Sequence, residues 1–237
     1  MPPPELSVVI PAFNEAWRLG PTLDRVAAYL GGRGVGHEIV VVDDGSSDAT
    51  AALVRSHAAP GLRLVEQGEN RGKGAAVRRG VAESRGERVL LCDADLSTPI
   101  EELPALERRL EAGADLVLGS RGLAESDVRV HQPRYRELMG KAFNRIIRLL
   151  GVRGLRDTQC GFKLLRGEAA RRLFAELRTD RFAFDVELVW LARRHGYRVE
   201  EVGVAWIDSP DSRVHPLFDS AGMLRDVLLM RWRHRRR

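Results

Sequence analysis

Four polar clusters in this sequence carry residue types and spacings that could do chemistry. The sharpest is Asp93-Ala94-Asp95, which closes the apolar run 89–92. An Asp-x-Asp in the turn after a buried strand offers hard oxygen ligands suited to Mg²⁺ or Mn²⁺. Such ions keep several waters and share their shell with substrate phosphates. An ion held there would neutralise a departing diphosphate as a Lewis acid, rather than generate a nucleophile. The tripeptide is also common as a solvated turn, and its position behind a strand is what sets it apart. The second cluster is Asp43-Asp44-Gly45-Ser46-Ser47-Asp48. A carboxylate there can accept a hydrogen bond from a ribose hydroxyl or a base N–H, Gly45 permits a tight turn, and Ser47 or Asp48 can cap the next helix. The third, Asn70-Arg71-Gly72-Lys73-Gly74, is a glycine-rich helix entry that leaves Lys73 available to a phosphate or a base. It lacks the glycine spacing and the Ser/Thr after lysine of a Walker A loop. Asn14-Glu15 forms the fourth.

These clusters recur at one structural position. Apolar runs at 6–11, 38–42, 62–66, 88–92 and 116–119 read as strands, separated by helical patterns to about 30, to about 57, over 72–84 and over 100–111. Repeated strand–helix units of this length predict an α/β fold, Rossmann-like, with a mostly parallel central sheet and helices on both faces. Ligands then belong beyond the carboxyl ends of the strands, where all four clusters fall. The second half is less regular. It reads as an amphipathic helix at 136–150, a turn-rich stretch at 151–161, a helix at 183–195, a strand at 198–206 and a basic helix at 216–237. The expectation is one domain over 1–237, in which about 6–125 binds donor and metal and about 126–237 forms the acceptor side.

Composition sets limits on the partners. The 237 residues are 44% hydrophobic and 30% charged, ordinary for a soluble domain able to bury a core. No stretch approaches the ~20 apolar residues that span a bilayer. The start MPPPELSVVIPAF has neither the basic segment nor the cleavage site of a signal peptide. A cytoplasmic location, peripheral on the cytosolic face of a membrane, is therefore expected. Cys92 and Cys160 read as buried small hydrophobes. The net charge is +5, and of 38 basic residues only Lys73, Lys141 and Lys163 are lysines. Such a chain favours phosphate-bearing substrates or anionic membranes. Without a zinc finger, RNP motif or aromatic platform, nucleic acid is not an expected partner. The six histidines form no cluster and receive no role.

Taken in order, VVIPAFNE (8–15), VDDGSSD (42–48), NRGKGA (70–75), DAD (93–95) and Gly119-Ser120-Arg121 resemble the family 2 glycosyltransferases of GT-A fold. RDTQCGFKL (156–164) and RFAFDVELVWL (181–191) resemble the branch of dolichyl-phosphate β-glucosyltransferases and polyprenyl-phosphate mannosyl- and glucosyltransferases. The resemblance spans about 6–218. It implies that Pro11, Phe13, Glu15 and Asp43 or Asp44 line the base and ribose pocket of a nucleotide-sugar donor, with Lys73 and Ala94 beside it. Asp93 would face the nucleotide and Asp95 ligate the metal; Asp93 and Asp95 together form the candidate metal motif. Arg121, Arg134 and Arg213 are candidate phosphate binders, because a guanidinium fork matches phosphate oxygens. Gln159, Asp185 and Glu187 would lie near the transferred sugar. Ser97 stands where the mannosyl branch carries Gln, which favours the glucosyl-like branch.

The chemistry so implied is an inverting single displacement on the anomeric carbon, assisted by Mg²⁺ or Mn²⁺. A polyprenyl phosphate acceptor is already ionised and needs no strong base, so alignment and charge stabilisation carry the reaction. A hydroxyl acceptor would need a carboxylate base, for which Asp157, Asp185 and Glu187 are the candidates. UDP-glucose is the first expectation for the donor and GDP-mannose the second. The helix 136–150 and the basic end 230–237 with Trp232 are the candidate membrane anchors. A soluble glycosyltransferase with a hydroxyl acceptor and a non-catalytic nucleotide-sugar-binding protein are the competing readings. Oligomeric state is not legible.

Overall fold

In a computed structural model, residues 3–128, 154–207 and 216–234 are described. The chain opens with β1 (Leu6–Ala12), α1 (Ala16–Gly31), β2 (His37–Asp43), α2 (Thr50–Ser56) and β3 (Leu62–Glu66). It continues through α3 (Lys73–Glu83), β4 (Arg88–Leu91), a 3-10 turn at Ile100–Glu102, α4 (Leu103–Glu111), β5 (Leu116–Ser120) and β6 (Asp127–Val128). After residue 153 come β7 (Lys163–Arg166), α5 (Gly167–Glu176), α6 (Phe184–Arg194), β8 (Val199–Gly203), β9 (Ala205–Trp206) and α7 (Pro216–Arg233).

The main sheet has the order β3-β2-β1-β4-β7-β5-β8, and its β1–β2, β1–β4, β2–β3 and β5–β8 pairings are parallel. β7 alone runs antiparallel, wedged between β4 and β5, so strands from both halves of the chain share one sheet. The expectation of a mostly parallel α/β sheet holds, with β7 and α5 as elements it did not contain. The stretch 198–206 is two strands rather than one. It leaves the main sheet after Gly203 to pair β9 with β6 in a separate ribbon.

Strands buried on both faces explain the continuous apolar runs. Leu6, Val8 and Ile10 of β1 pack with Leu19, Leu23, Val26 and Leu30 of α1 and with Leu103 and Leu106 of α4. Val9, on the other face, packs with Ala76, Val77 and Val81 of α3 and with Leu173 and Phe174 of α5. Each such fully buried Val, Leu or Phe contributes about 1.5–3 kcal/mol. Gly80 lets α3 press on the sheet: a Cβ there would lie 2.4 Å from Val9 Cγ1.

Register then sets the site. Ala12 pairs with Asp43 across β1–β2, and the Cys92 N–H donates to Val9 O, so the acidic ends of three strands stand side by side. The loops beyond them are stitched together. The Asn14 N–H donates to Ser46 Oγ at 2.8 Å, the Ser47 N–H to Asn14 Oδ1 at 2.7 Å, and the Glu15 N–H to Thr50 Oγ1 at 2.7 Å. The residue that borders α2 is Ala49, not Ser47 or Asp48. Asp48 Oδ1 instead accepts the Thr50 N–H, and its Oδ2 accepts the Ala16 N–H at the start of α1.

Candidate active site

A cavity of about 380 Å³ opens at this carboxyl edge. Among the residues expected at a donor pocket, Pro11, Phe13, Glu15, Asp44, Lys73, Asp93, Ala94 and Asp95 line it. The wall is completed by residues to which no role was given, chiefly Arg18, Asn70, Arg181 and Phe182. Arg181 and Phe182 lie within RFAFDVELVWL and arrive from the other half of the chain, on the loop between α5 and α6. That loop packs close because Gly72 and Gly74 have no side chains: Cβ atoms there would sit 2.6 Å from Asp180 O and 2.4 Å from Thr179 O. Gly72 also has φ 106°, a conformation that excludes other residues without strain.

The two carboxylates expected at the base differ in availability. Asp44 is spent on the chain itself: Oδ1 accepts from Gln67 Nε2 at 2.6 Å and the Arg71 N–H at 2.8 Å, and Oδ2 accepts the Gly72 N–H at 2.9 Å. It therefore holds the glycine-rich entry of α3 in place. Asp43 is buried, its Oδ2 accepts the Ser46 N–H at 3.2 Å, and its Oδ1 has no hydrogen-bond partner. Asp43, expected at the base and ribose, is not among the residues that line the cavity, so this costly unpaired oxygen lies behind the wall rather than on it.

At the Asp-x-Asp turn, Lys73 Nζ lies 2.7 Å from Asp93 Oδ1. Burial opposes both charges. The Lys73 ammonium nonetheless holds the Asp93 carboxyl below its ordinary range, and Asp93, Asp185 and Asp95 raise the Lys73 pKa above the usual lysine value. Asp95 Oδ1 accepts the Ser97 N–H at 2.9 Å, while Oδ2 lies 3.8 Å from Arg18 Nη1. Arg18 is itself clamped by Glu15, with both carboxylate oxygens on its guanidinium. Glu15 thus acts on the cavity through Arg18. The turn is completed by Leu96 at φ 47°, a strained conformation for a branched apolar residue, held by its burial. Beneath lies Gly161, whose Cβ would meet Asp93 Oδ2 at 2.0 Å. Its place in RDTQCGFKL is explained by that approach.

For a divalent cation, Asp95 is the available carboxylate and Asp93 is already engaged by Lys73. Among the described residues no three His, Cys, Asp or Glu side chains cluster as a metal cage. One carboxylate facing a cavity fits an ion that takes its remaining ligands from water and a donor diphosphate.

The remaining candidates lie outside the lining. Arg121, expected on phosphate, forms a two-pronged pair with Asp157, Nε to Oδ2 at 2.6 Å and Nη2 to Oδ1 at 3.0 Å, and stacks 5.3 Å over Trp206. Its fork is used inside the protein. Asp157 also accepts the N–H groups of Arg121 and Gln159. Against the effect of burial, Arg121 lowers the Asp157 pKa, which makes that carboxylate a poor base. Gln159 turns its Nε2 toward Met223 Sδ at 3.8 Å on α7. Glu187 is fully buried, accepts the N–H groups of Arg178 and Thr179, and lies 2.6 Å from His234 Nε2. Its role is to hold the 177–183 loop and the end of α7. Asp185 is 2.6 Å from the buried Lys163 Nζ; burial raises its pKa, and Lys163 and Lys73 offset this only in part. Arg134, Arg213 and the helix 136–150 lie outside the described residues.

Comparison with known proteins gives the family and the fold. A dolichyl-phosphate beta-glucosyltransferase of Drosophila melanogaster is 39% identical over 241 residues, covering 95% of this chain and 74% of the relative. The Homo sapiens protein of that name is 35% identical, covering 98% and 76%. In fold, the chain matches glucosyl-3-phosphoglycerate synthase from Mycobacterium tuberculosis, solved with Mn²⁺, UDP-glucose and phosphoglyceric acid. The TM-score is 0.70 at 22% identity, over 96% of this chain and 78% of that one. The profile of glycosyl transferase family 2 runs from residue 7 to 174, through β1 and every strand-end cluster to α5. By these matches the chain is a GT-A-fold glycosyltransferase and belongs to glycosyl transferase family 2.

Proposed function

We propose that this enzyme transfers glucose from UDP-glucose to a polyprenyl phosphate by a single inverting displacement. The relatives named above support both the sugar and the lipid phosphate, since their names describe glucose transfer to dolichyl phosphate. The observation that carries the acceptor is the state of the three candidate bases. Asp157, Asp185 and Glu187 are each engaged inside the protein, by Arg121, Lys163 and His234, and none lines the donor cavity. A phosphate oxygen is ionised at neutral pH and attacks without a base. Its new bond to the anomeric carbon forms as the bond to the diphosphate oxygen breaks, and the electron pair leaves with UDP.

In this reading the base and ribose lie against Pro11, Phe13 and Phe182, which exclude water around them. Lys73 sits at the mouth of α3, close to the diphosphate. Asp95, with the donor phosphates, would hold Mg²⁺ or Mn²⁺, which supplies Lewis-acid neutralisation of the leaving diphosphate. Arg18, positioned by Glu15, faces the same charge. Residues beyond about 126 form the acceptor side, and the chain works attached to a membrane surface. No helix among the described residues is long and apolar enough to cross a bilayer.

The test is transfer from radiolabelled UDP-glucose, with GDP-mannose in parallel, to a short-chain polyprenyl phosphate, with and without Mn²⁺. Metal-dependent glucosyl lipid, lost in Asp95→Ala, is the expected product. Transfer from GDP-mannose instead would move the donor assignment, and donor turnover without a lipid product would sink the acceptor assignment.

A further inference from the structure

A second cavity, about 330 Å³, lies between α7 and the 177–183 loop, lined by Arg178, Asp180, Arg181, Arg225, Asp226 and Arg233. Four guanidiniums there meet two carboxylates. Asp180 is already taken by Arg78 of α3 at 2.5 Å, and Asp226 stands 4.0 Å from Arg225. Among the described residues, the guanidiniums of Arg181 and Arg233 make no ion pair. Other arginines of this chain are closely paired: Arg25 with Glu101, Arg33 and Arg88 with Glu107, Arg63 and Arg85 with Glu38. The cleft therefore gathers like charges with too few counter-charges, an arrangement that an anion would relieve. Planar forks of this kind match the oxygens of a phosphate.

The neighbouring surface points to the kind of phosphate. Met223, Val227 and Met230 bury one face of α7 in the core. Arg225, Leu228 and Trp232, spaced i, i+3 and i+7, share another face. Leu228 is 54% exposed and Trp232 55%. Guanidiniums beside an outward Leu and Trp make the amphipathic pattern of a helix lying in the headgroup layer, where tryptophan prefers to sit.

We propose that this cleft binds the phosphate of an anionic membrane lipid, with Leu228 and Trp232 entering the interface beside it. The inference rests on the reading that the enzyme works at a membrane surface, and adds the site and the headgroup chemistry. Arg181 lines both this cleft and the donor cavity, so the headgroup would sit next to the reaction.

The test is co-sedimentation of the full chain with phosphatidylcholine vesicles, with and without phosphatidic acid. Arg225→Gln/Arg233→Gln is compared with Arg25→Gln/Arg79→Gln, which removes equal charge from α1 and α3, and thermal melts check that each variant is folded. Binding that requires phosphatidic acid should weaken about tenfold or more in the cleft variant, at about 1 kcal/mol per arginine near an anionic surface, and change little in the control. Equal losses in both variants would overturn the site and leave only net charge. Wild-type binding in the cleft variant would overturn the site while the membrane reading stood. If the wild-type chain bound no vesicles, both would fall. In that case calorimetry with inorganic phosphate, positive for the wild type and lost in the cleft variant, would assign the cleft to a soluble phosphate instead.

Discussion

The Lys73–Asp93–Asp95 turn and the Arg121–Asp157 pair both come from motif-like segments, yet they behave oppositely. At the turn, Asp95 keeps an oxygen facing a cavity, with no nearer ion-pair partner among the described residues than the Arg18 nitrogen at 3.8 Å. At the pair, both Asp157 oxygens and both prongs of Arg121 are consumed by each other and by backbone N–H groups. One region stores unspent binding capacity and the other is closed. A charged residue in a motif can therefore mark chemistry or scaffolding, and the partner atoms decide which.

The comparison breaks most sharply at Asp95. Asp95→Ala should cut glucose transfer about 10³-fold, the scale of several kcal/mol of lost charge stabilisation, with the thermal midpoint nearly unchanged. A variant that unfolds would instead place Asp95 with the scaffold. Glu187→Gln belongs to the closed region and should do the reverse. It keeps the shape but weakens a buried acceptor of two backbone N–H groups and His234, costing about 2–3 kcal/mol in urea unfolding while the folded fraction stays active. Asp157→Asn should cost about 2 kcal/mol near neutral pH. Because Arg121 depresses the Asp157 pKa in the folded state, that stability is present above the ordinary carboxylate range. It is lost as pH falls through the folded pKa, so the gap between wild type and variant should close in acid. A gap constant with pH would show that the charge of Asp157 contributes nothing. The smallest effect should come from Gly161→Ala, whose methyl must push Asp93 off Lys73. The donor KM should rise about tenfold, with kcat and stability little changed.

Much of the fold was legible because strands buried on both faces must be continuously apolar. The runs at 6–11, 38–42, 62–66, 88–92 and 116–119 fall within a residue or two of β1 to β5. β7 was not legible, because Lys163–Arg166 offers two apolar residues between charges, and its burial comes from the neighbours on either side. α5 was passed over, although Ala169, Ala170, Leu173 and Phe174 mark its buried face. At the site, the Asp-x-Asp turn was readable from its place behind β4. The side-chain partners of Asp157 and Glu187, Arg121 and His234, stand 36 and 47 residues away in sequence, and only folding discloses them. Arg18 was hidden for a related reason: a cation in the first turn of a helix looks like a solvated charge until Glu15 and Asp95 flank it.

The place of β7 also dictates an order of assembly. During synthesis β1 to β5 emerge first, but in the finished sheet β4 and β5 are not neighbours, since each gives an edge to β7, a strand still to come. Two unpaired edges are a hazard for aggregation. Insertion of Lys163–Arg166 closes both at once, and brings Gly161 under Asp93 in the same movement. The carboxylate turn therefore gains its final shape only when the sheet is sealed, so a nascent chain lacking this strand would expose sticky edges without yet owning a working donor pocket.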